Sequence, residues 1–395
     1  MKKSNSRLLE IMIVVFISCL IGVISGSTFI YSLDIFKNNG NISISKIEEI
    51  DELYNKIINE YYGKVDENQL IDAALDGMLS VLDDYSSYMD QSDSISFNNK
   101  MKGEYYGIGI EALTLSGEGV LVVSVVENSP ADSVGIKEGD IIKKVNNDDL
   151  TIKDASYFTS LVSITKDELK LEIKREERIL NISVKPEKVI IKSVTSNKFN
   201  VSNKKIGYLK IKIFAANTAT QFATELKKLE EEGIDSLIID VRDNTGGYLS
   251  SVTTILEMFM EKDSILYKTE SKTVTSIRKD NTEESRDYPV SVLVNASSAS
   301  ASEVLAACFK ENKNSDIVGN ATYGKGTVQE IVEISEETQA KITTKKWLTP
   351  NGNWVEKTGV EPTIRVNIGD KYLQTPTLDN DNQLNSAINS IINKK

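Results

Sequence analysis

The chain has 395 residues, with 58 acidic against 46 basic side chains, and a formal net charge of −12. An acidic chain without a clear basic cluster lacks the electrostatic footprint of a nucleic-acid binder. It contains no histidine, which removes the commonest general base, and only two cysteines, Cys19 and Cys308, too few to staple a fold. A composition that is 40% hydrophobic and 26% charged fits a globular protein, and the length predicts two or three domains.

In chain order, Lys2, Lys3 and Arg7 precede a mostly apolar run from Ile11 to Leu33. At 1.5 Å per residue such a run spans a bilayer, and the positive flank keeps the N-terminus cytoplasmic. The expectation is a membrane anchor. Two readings compete with it: a cleaved signal peptide, against which a clear cleavage site is missing, and a lipid on Cys19, against which the apolar run continues well past it. Residues 34–45 read as a polar linker. From Ile47 to Met89 apolar residues recur at helical spacing and end in the turn-rich stretch Asp83-Asp84-Tyr85-Ser86-Ser87-Tyr88.

Residues 103–186 read as a compact β-rich unit. Val120–Val126 is an apolar strand. Ser129-Pro130 opens a short helix closed by Gly135, and a helix near 154–162 precedes two alternating strands at 169–175 and 179–185. Residues 205–366 alternate strands and helices, which predicts a parallel sheet covered by helices. Within it, Thr218 and Gln221 read as a capping box. Both the Arg242–Gly247 turn and Ser300 follow buried strands, where sites gather in such sheets.

Without histidine, any serine nucleophile needs another base, and lysine is a known substitute. Ser300 in Ser298-Ala-Ser-Ala-Ser-Glu303 has two open readings. Ser300-x-x-Glu303 is a capping box, and the same place at the positive end of a helix would stabilise an oxyanion. Ser298 and Ser302 are spare hydroxyls that spacing does not separate from it. Lys325, in Gly324-Lys-Gly-Thr-Val-Gln329, nearly completes a phosphate-binding loop with Gly319. That match fails at Gly326, where Ser or Thr must hold magnesium, and a strand rather than a helix follows. The other reading is a lysine desolvated enough to act as a base, with Gln329 orienting its amine. Gly246 could present a backbone N–H to an oxyanion. The loop Gly107-Ile108-Gly109 could present N–H groups to a peptide carboxylate.

Several motifs in fixed order carry a resemblance: Leu82-Asp-Asp-Tyr-Ser-Ser-Tyr88, Tyr106-Gly-Ile-Gly109, residues 129–142, Asp240–Leu249, the Ser300 and Lys325 motifs, and Lys346–Trp354. Together they resemble the carboxyl-terminal processing peptidases, tail-specific serine proteases with an inserted PDZ domain. The resemblance implies a multidomain α/β fold. It divides into a cytoplasmic tail (1–10), a transmembrane anchor (11–33), a helical segment (45–95), a PDZ domain (96–190), an α/β protease core (191–370) and a C-terminal helical tail (371–395). It implies Ser300 as nucleophile, Lys325 as general base and Gln329 as its positioning residue. Gly246 and Ala301 become oxyanion donors, Gly107, Ile108 and Gly109 the carboxylate loop, and Arg175 an activation switch. No metal or cofactor is expected. The implied function is a single-pass membrane endopeptidase with its catalytic part on the extracytoplasmic side. Its partners would be proteins or peptides with apolar C-termini. The N-terminal and C-terminal helices could pair subunits into a homodimer. The competing reading is a catalytically silent PDZ scaffold or sensor of C-termini. Thr245, standing where the family has proline, departs from the pattern.

Overall fold

The computed structural model describes residues 44–393. The expected anchor lies outside the described residues; among those described, no helix is long and apolar enough to cross a membrane. The chain divides into two units, residues 1–75 and 76–395. The first contributes α1 (Ile44–Glu60) and most of α2 (Glu67–Leu79). These helices meet where the Tyr54 hydroxyl donates to Glu67 at 3.3 Å, and Ile47, Ile50 and Leu53 of α1 are exposed.

The second unit opens with β1 (Ser87–Met89) and α3 (Gln91–Lys102), capped by Asp90, which accepts from the Asp93 N–H. A β-rich part follows: β2 (Glu104–Gly107), β3 (Ile110–Leu115), β4 (Gly119–Val125), α4 (Pro130–Ser133), β5 (Ile141–Val145), β6 (Asp148–Asp149), α5 (Ala155–Ile164), β7 (Leu169–Arg175), β8 (Arg178–Val184) and β9 (Glu187–Ile190). Five strands form an antiparallel sheet in the order β3-β4-β5-β7-β8, β6 pairs β5, and β2 pairs β9 separately. Alternation on β7 sends Leu169, Leu171 and Ile173 into a core with Val120, Val122, Ile142 and Phe158. Ser129 caps α4 ahead of Pro130, as the sequence indicates.

The α/β part contains β10 (Val194–Val201), β11 (Lys204–Ile211), α6 (Thr218–Glu231), β12 (Ser236–Asp240), α7 (Leu249–Glu257), β13 (Ile265–Glu270), β14 (Thr275–Lys279), β15 (Val290–Val294), α8 (Ala301–Lys313), β16 (Asp316–Gly319), β17 (Thr327–Glu333), β18 (Gln339–Leu348), β19 (Ile364–Arg365), α9 (Asp370–Gln374) and α10 (Asn382–Asn393). Its main sheet runs β10-β11-β12-β15-β16-β19, parallel except for β10. Both faces are covered, so β12 and β15 are buried along their whole length. Leu237, Ile239, Val292 and Val294 pack with α6, α7 and α8. Ile238, Leu293 and Val318 face Leu384, Ala387, Ile388 and Ile391 of α10. A second sheet lies beside it, with β1 and β13 on one edge of β18 and β17 on the other.

Two local expectations are corrected here. Thr218 and Gln221 do not form a capping box: Asn217 stands at the cap position without a side-chain bond. The Gln221 amide instead accepts from the Ser193 N–H (3.0 Å) and donates to the Ile191 carbonyl (2.9 Å), tying α6 to the segment between β9 and β10. The C-terminal helix spends its apolar side on the sheet, each large buried side chain stabilising by roughly 1.5–3 kcal/mol, so that side is not available to pair subunits.

Candidate active site

Three connections at the carboxyl ends of adjacent parallel strands build the site: the turn after β12, the turn between β15 and α8, and the loop after β16. Ser300 sits between β15 and α8 with φ 54° and ψ −114°. A non-glycine residue there costs about 1–3 kcal/mol and persists only where its surroundings impose it. They do so through its neighbours. Ser298 and Ser302 are fully buried. Their hydroxyls donate to the carbonyls of Val241 and Asn244, both at 2.8 Å, and the Ala299 N–H donates to Asn244 O at 3.1 Å. The structure thus separates three serines that spacing could not: two pin the turn, and Ser300 lines a cleft of about 430 Å³.

Glu303 is the residue the sequence reading undervalued. Its fully buried carboxylate accepts from the N–H groups of Ser300 (2.8 Å), Gly324 (2.7 Å) and Lys325 (2.9 Å) and from the Thr322 hydroxyl (2.6 Å). Burial pushes its pKa up against the pull of these four donors. One side chain therefore ties the serine turn to the lysine loop. The capping-box pattern revealed half of this, the bond back to the Ser300 N–H; the bonds to the loop join residues about twenty positions on.

The Lys325 loop is held from several sides. Trp347 Nε1 donates to the Lys325 carbonyl (2.8 Å), the Gly326 N–H donates to Glu356 (2.7 Å), and Trp354 Nε1 donates to Gly326 O (3.0 Å). A Cβ at Gly326 would lie 2.5 Å from Trp354 Nε1, which explains the glycine. The Lys325 amine is half-buried. Burial, and then the nearby Lys341, lower its pKa, against Asp83, Glu356 and Glu303.

Ser300, Lys325 and Gln329 line one cleft, with Gly246, Ala301 and Lys341 beside them. No hydrogen bond joins the three among the described residues. The Lys325 amine lies over the Tyr85 ring, 4.7 Å from its centroid. Gln329, expected to orient that amine, makes no hydrogen bond to it among the described residues; its Nε2 donates to the hydroxyls of Thr327 and Thr343, both at 2.9 Å.

Gly246 packs directly against the Ser300 turn; a Cβ on it would sit 2.9 Å from Ala299 O and 3.0 Å from Ser300 Cβ. Its N–H, expected to face an oxyanion, donates to Asn244 Oδ1 at 2.9 Å, while Asn244 Nδ2 holds the Ile211 carbonyl at 3.0 Å. The N–H of Ala301, first in α8, finds no acceptor among the described residues, nor does that of Gly247 in the same cleft. Behind this turn lies a buried ionic cluster absent from the sequence reading. Arg242 pairs with Asp240 (2.6 Å) and Asp381 (2.7 Å) and donates to Gln383 (3.0 Å), and the Tyr208 hydroxyl donates to Asp240 (2.6 Å). Burial alone would raise the Asp240 carboxyl; Arg242 overrides it and holds the group below its ordinary range.

In the β-rich part, Gly107 ends β2, Ile108 is buried, and Gly109 has φ +86°. The carbonyls of Ile108 and Gly109 turn inward to the N–H groups of Ala131 and Val126, both at 2.8 Å. Their own N–H groups find no acceptor among the described residues, an arrangement suited to an anion. The next strand, β3, is an edge strand with α5 beside it, so an extended peptide could add there. Arg175, expected as an activation switch, is ion-paired in this structure. Its guanidinium donates to fully buried Asp140 (2.7 and 2.8 Å) and to the Gly135 carbonyl (2.7 Å), closing the 135–140 loop.

Comparisons agree with this architecture. A family model described as peptidase family S41 matches residues 205–366. A PDZ-domain model matches 100–185, and one for the N-terminal domain of the activating protease CtpB matches 30–93. The carboxy-terminal processing protease CtpB of Bacillus subtilis is 36% identical over 335 residues, covering 84% of this chain and 70% of that protein. CtpA of the same organism is 34% identical, covering 87% and 73%. A solved structure from Bacteroides fragilis, titled as an S41 protease, aligns with a TM-score of 0.54 at 19% identity, covering 85% of this chain and 93% of that one.

Proposed function

The chain belongs to peptidase family S41 with the carboxy-terminal processing proteases, and on that premise we propose a membrane-anchored serine endopeptidase that works through Ser300 and Lys325 on proteins selected by their C-termini. The observation that carries it is the Glu303 carboxylate, which holds the backbone of both Ser300 and Lys325 at one cleft. In this mechanism the neutral Lys325 amine takes the Ser300 hydroxyl proton as the oxygen attacks the scissile carbonyl. The Ala301 N–H meets the oxyanion, joined by Gly246 once Asn244 releases it. Lys325 then protonates the leaving amine, and water frees the acyl group from Ser300. Gln329 takes up the positioning role with its amide oxygen, which accepts from an N–H of the amine.

The loop Gly107–Gly109 receives the terminal carboxylate, with the substrate strand along β3. The apolar run 11–33 anchors the chain, with residues from 34 onward outside the cytoplasm. A homodimer would use the exposed apolar positions of α1, since α10 is committed to the sheet. The competing reading, a silent PDZ scaffold, draws support from the missing bond between Ser300 and Lys325 and requires that no substrate is cut. Substrates differing only in their last three residues test the proposal. An apolar tail is expected to raise kcat/KM at least about tenfold over an acidic one, about 1.4 kcal/mol. Equal cleavage of both tails sinks the tail selection.

A further inference from the structure

The Leu82–Tyr88 motif has so far no part in the chemistry, yet it carries Tyr85 to the base. Asp83 Oδ1 accepts from the N–H groups of Tyr85 and Ser86, both at 2.8 Å, forming a tight turn. Ser87 then pairs with Lys341 on β18, and Ser86 Oγ accepts from the Thr343 N–H at 3.1 Å. The other edge of β18 holds Gln329 on β17, and Thr343 bridges to it by accepting from the Gln329 amide. The Tyr85 ring is therefore fixed to the same sheet as Gln329 and Lys341, and the Lys325 amine rests on its face, 4.7 Å from the centroid.

The ring is a neutral phenol at physiological pH. Burial, the nearby Glu356 and a hydrogen bond with Tyr323 push its hydroxyl up to about 12. The amine thus meets a π face rather than a phenolate, and such a face favours the charged form. The other groups facing Lys325 are Lys341 from β18, Asp83 from the turn, Glu356 from the segment after β18 and Glu303 from α8.

We propose that Tyr85 is the positioning residue of the general base, its ring holding the Lys325 ammonium away from Ser300 so that the base is stored protonated until it leaves the ring. The proposal rests on the Ser300–Lys325 reading. On leaving, the ammonium gives one proton to solvent water, and the free amine then takes the Ser300 proton.

The test uses the full chain with Tyr85→Phe, Tyr85→Leu and Tyr85→Trp. Two quantities are followed against pH: acetylation of Lys325 by limiting acetic anhydride, read on its peptide by mass spectrometry, and the acid limb of kcat/KM. Phe keeps the face and is expected to leave the Lys325 midpoint in place. Leu keeps apolar bulk without the face and is expected to lower the midpoint by about half a unit to one and a half units. Trp is expected to raise it. A midpoint unmoved in both Leu and Trp, or moved equally in Phe and Leu, overturns the proposal. Should Leu fail to fold, the Phe and Trp pair decides. A Lys325→Ala chain that still cleaves would instead overturn the dyad, while the acetylation midpoints still report on Tyr85.

Discussion

Lys325→Ala is expected to lower kcat/KM on the order of 10⁴-fold or more while leaving the protein folded, because a serine hydroxyl without a base is a weak nucleophile. In the proposed mechanism the two residues act as a unit, so the Ser300→Ala/Lys325→Ala double variant should be no worse than either single one. The pH profile carries the same claim with a sign. In that mechanism Lys325 acts as the free amine, and burial together with Lys341 lowers its pKa from the usual lysine value. Activity should therefore rise with pH through a limb below the ordinary lysine range of about 10.4. Lys341→Gln removes the repelling ammonium and should move that limb upward.

The stability sign is fixed by the same shift. Between the folded and unfolded midpoints the unfolded chain binds more protons, so stability rises with pH there, and at neutral pH the charged, half-buried amine is a cost. Lys325→Met should thus be inactive but melt no lower than wild type at neutral pH, read by thermal unfolding. A Lys325→Ala protein with wild-type kcat/KM would contradict the account.

Arg242→Leu has the largest expected effect on the fold. Asp240 and Asp381 are fully buried, and both find their cation in Arg242. Removing one partner of a buried pair typically costs about 3–5 kcal/mol, because the remaining charge is left uncompensated. At about 2–4 °C per kcal/mol for a domain of this size, the melting temperature should fall by roughly 6–20 °C. The dependence on pH distinguishes this from loss of packing. In wild type the depressed Asp240 pKa gives stability that is present above the unfolded value near 4 and lost as pH falls through the folded one. In Arg242→Leu the buried Asp240 carboxylate has lost the cation that held its pKa down and burial favours its proton, so the deficit should shrink as pH is lowered toward about 4. A deficit independent of pH would assign the loss to packing instead.

The main sheet was legible because β12 and β15 are short, mostly apolar runs bounded by turn residues, and Ser129-Pro130 is a local cap signal realised in the structure. The placing of Ser300 in its cleft was not legible, since Ser298, Ser300 and Ser302 differ only in which carbonyls lie within reach. The same holds for Arg242, whose partner Asp381 lies 139 residues away, and for Tyr85, brought to Lys325 by pairing between β1 and β18. The Arg175–Asp140 pair was not legible either, since its partners lie 35 positions apart. Gln221 shows the reverse failure: a sound local pattern was overridden because the amide had better partners in the segment entering β10.

The most direct test of the central claim is the cleavage rate of one apolar-tailed substrate by wild type and Ser300→Ala, prepared identically and matched for melting temperature. The account predicts cleavage by wild type and none above background by Ser300→Ala. Undiminished cleavage by Ser300→Ala would contradict it.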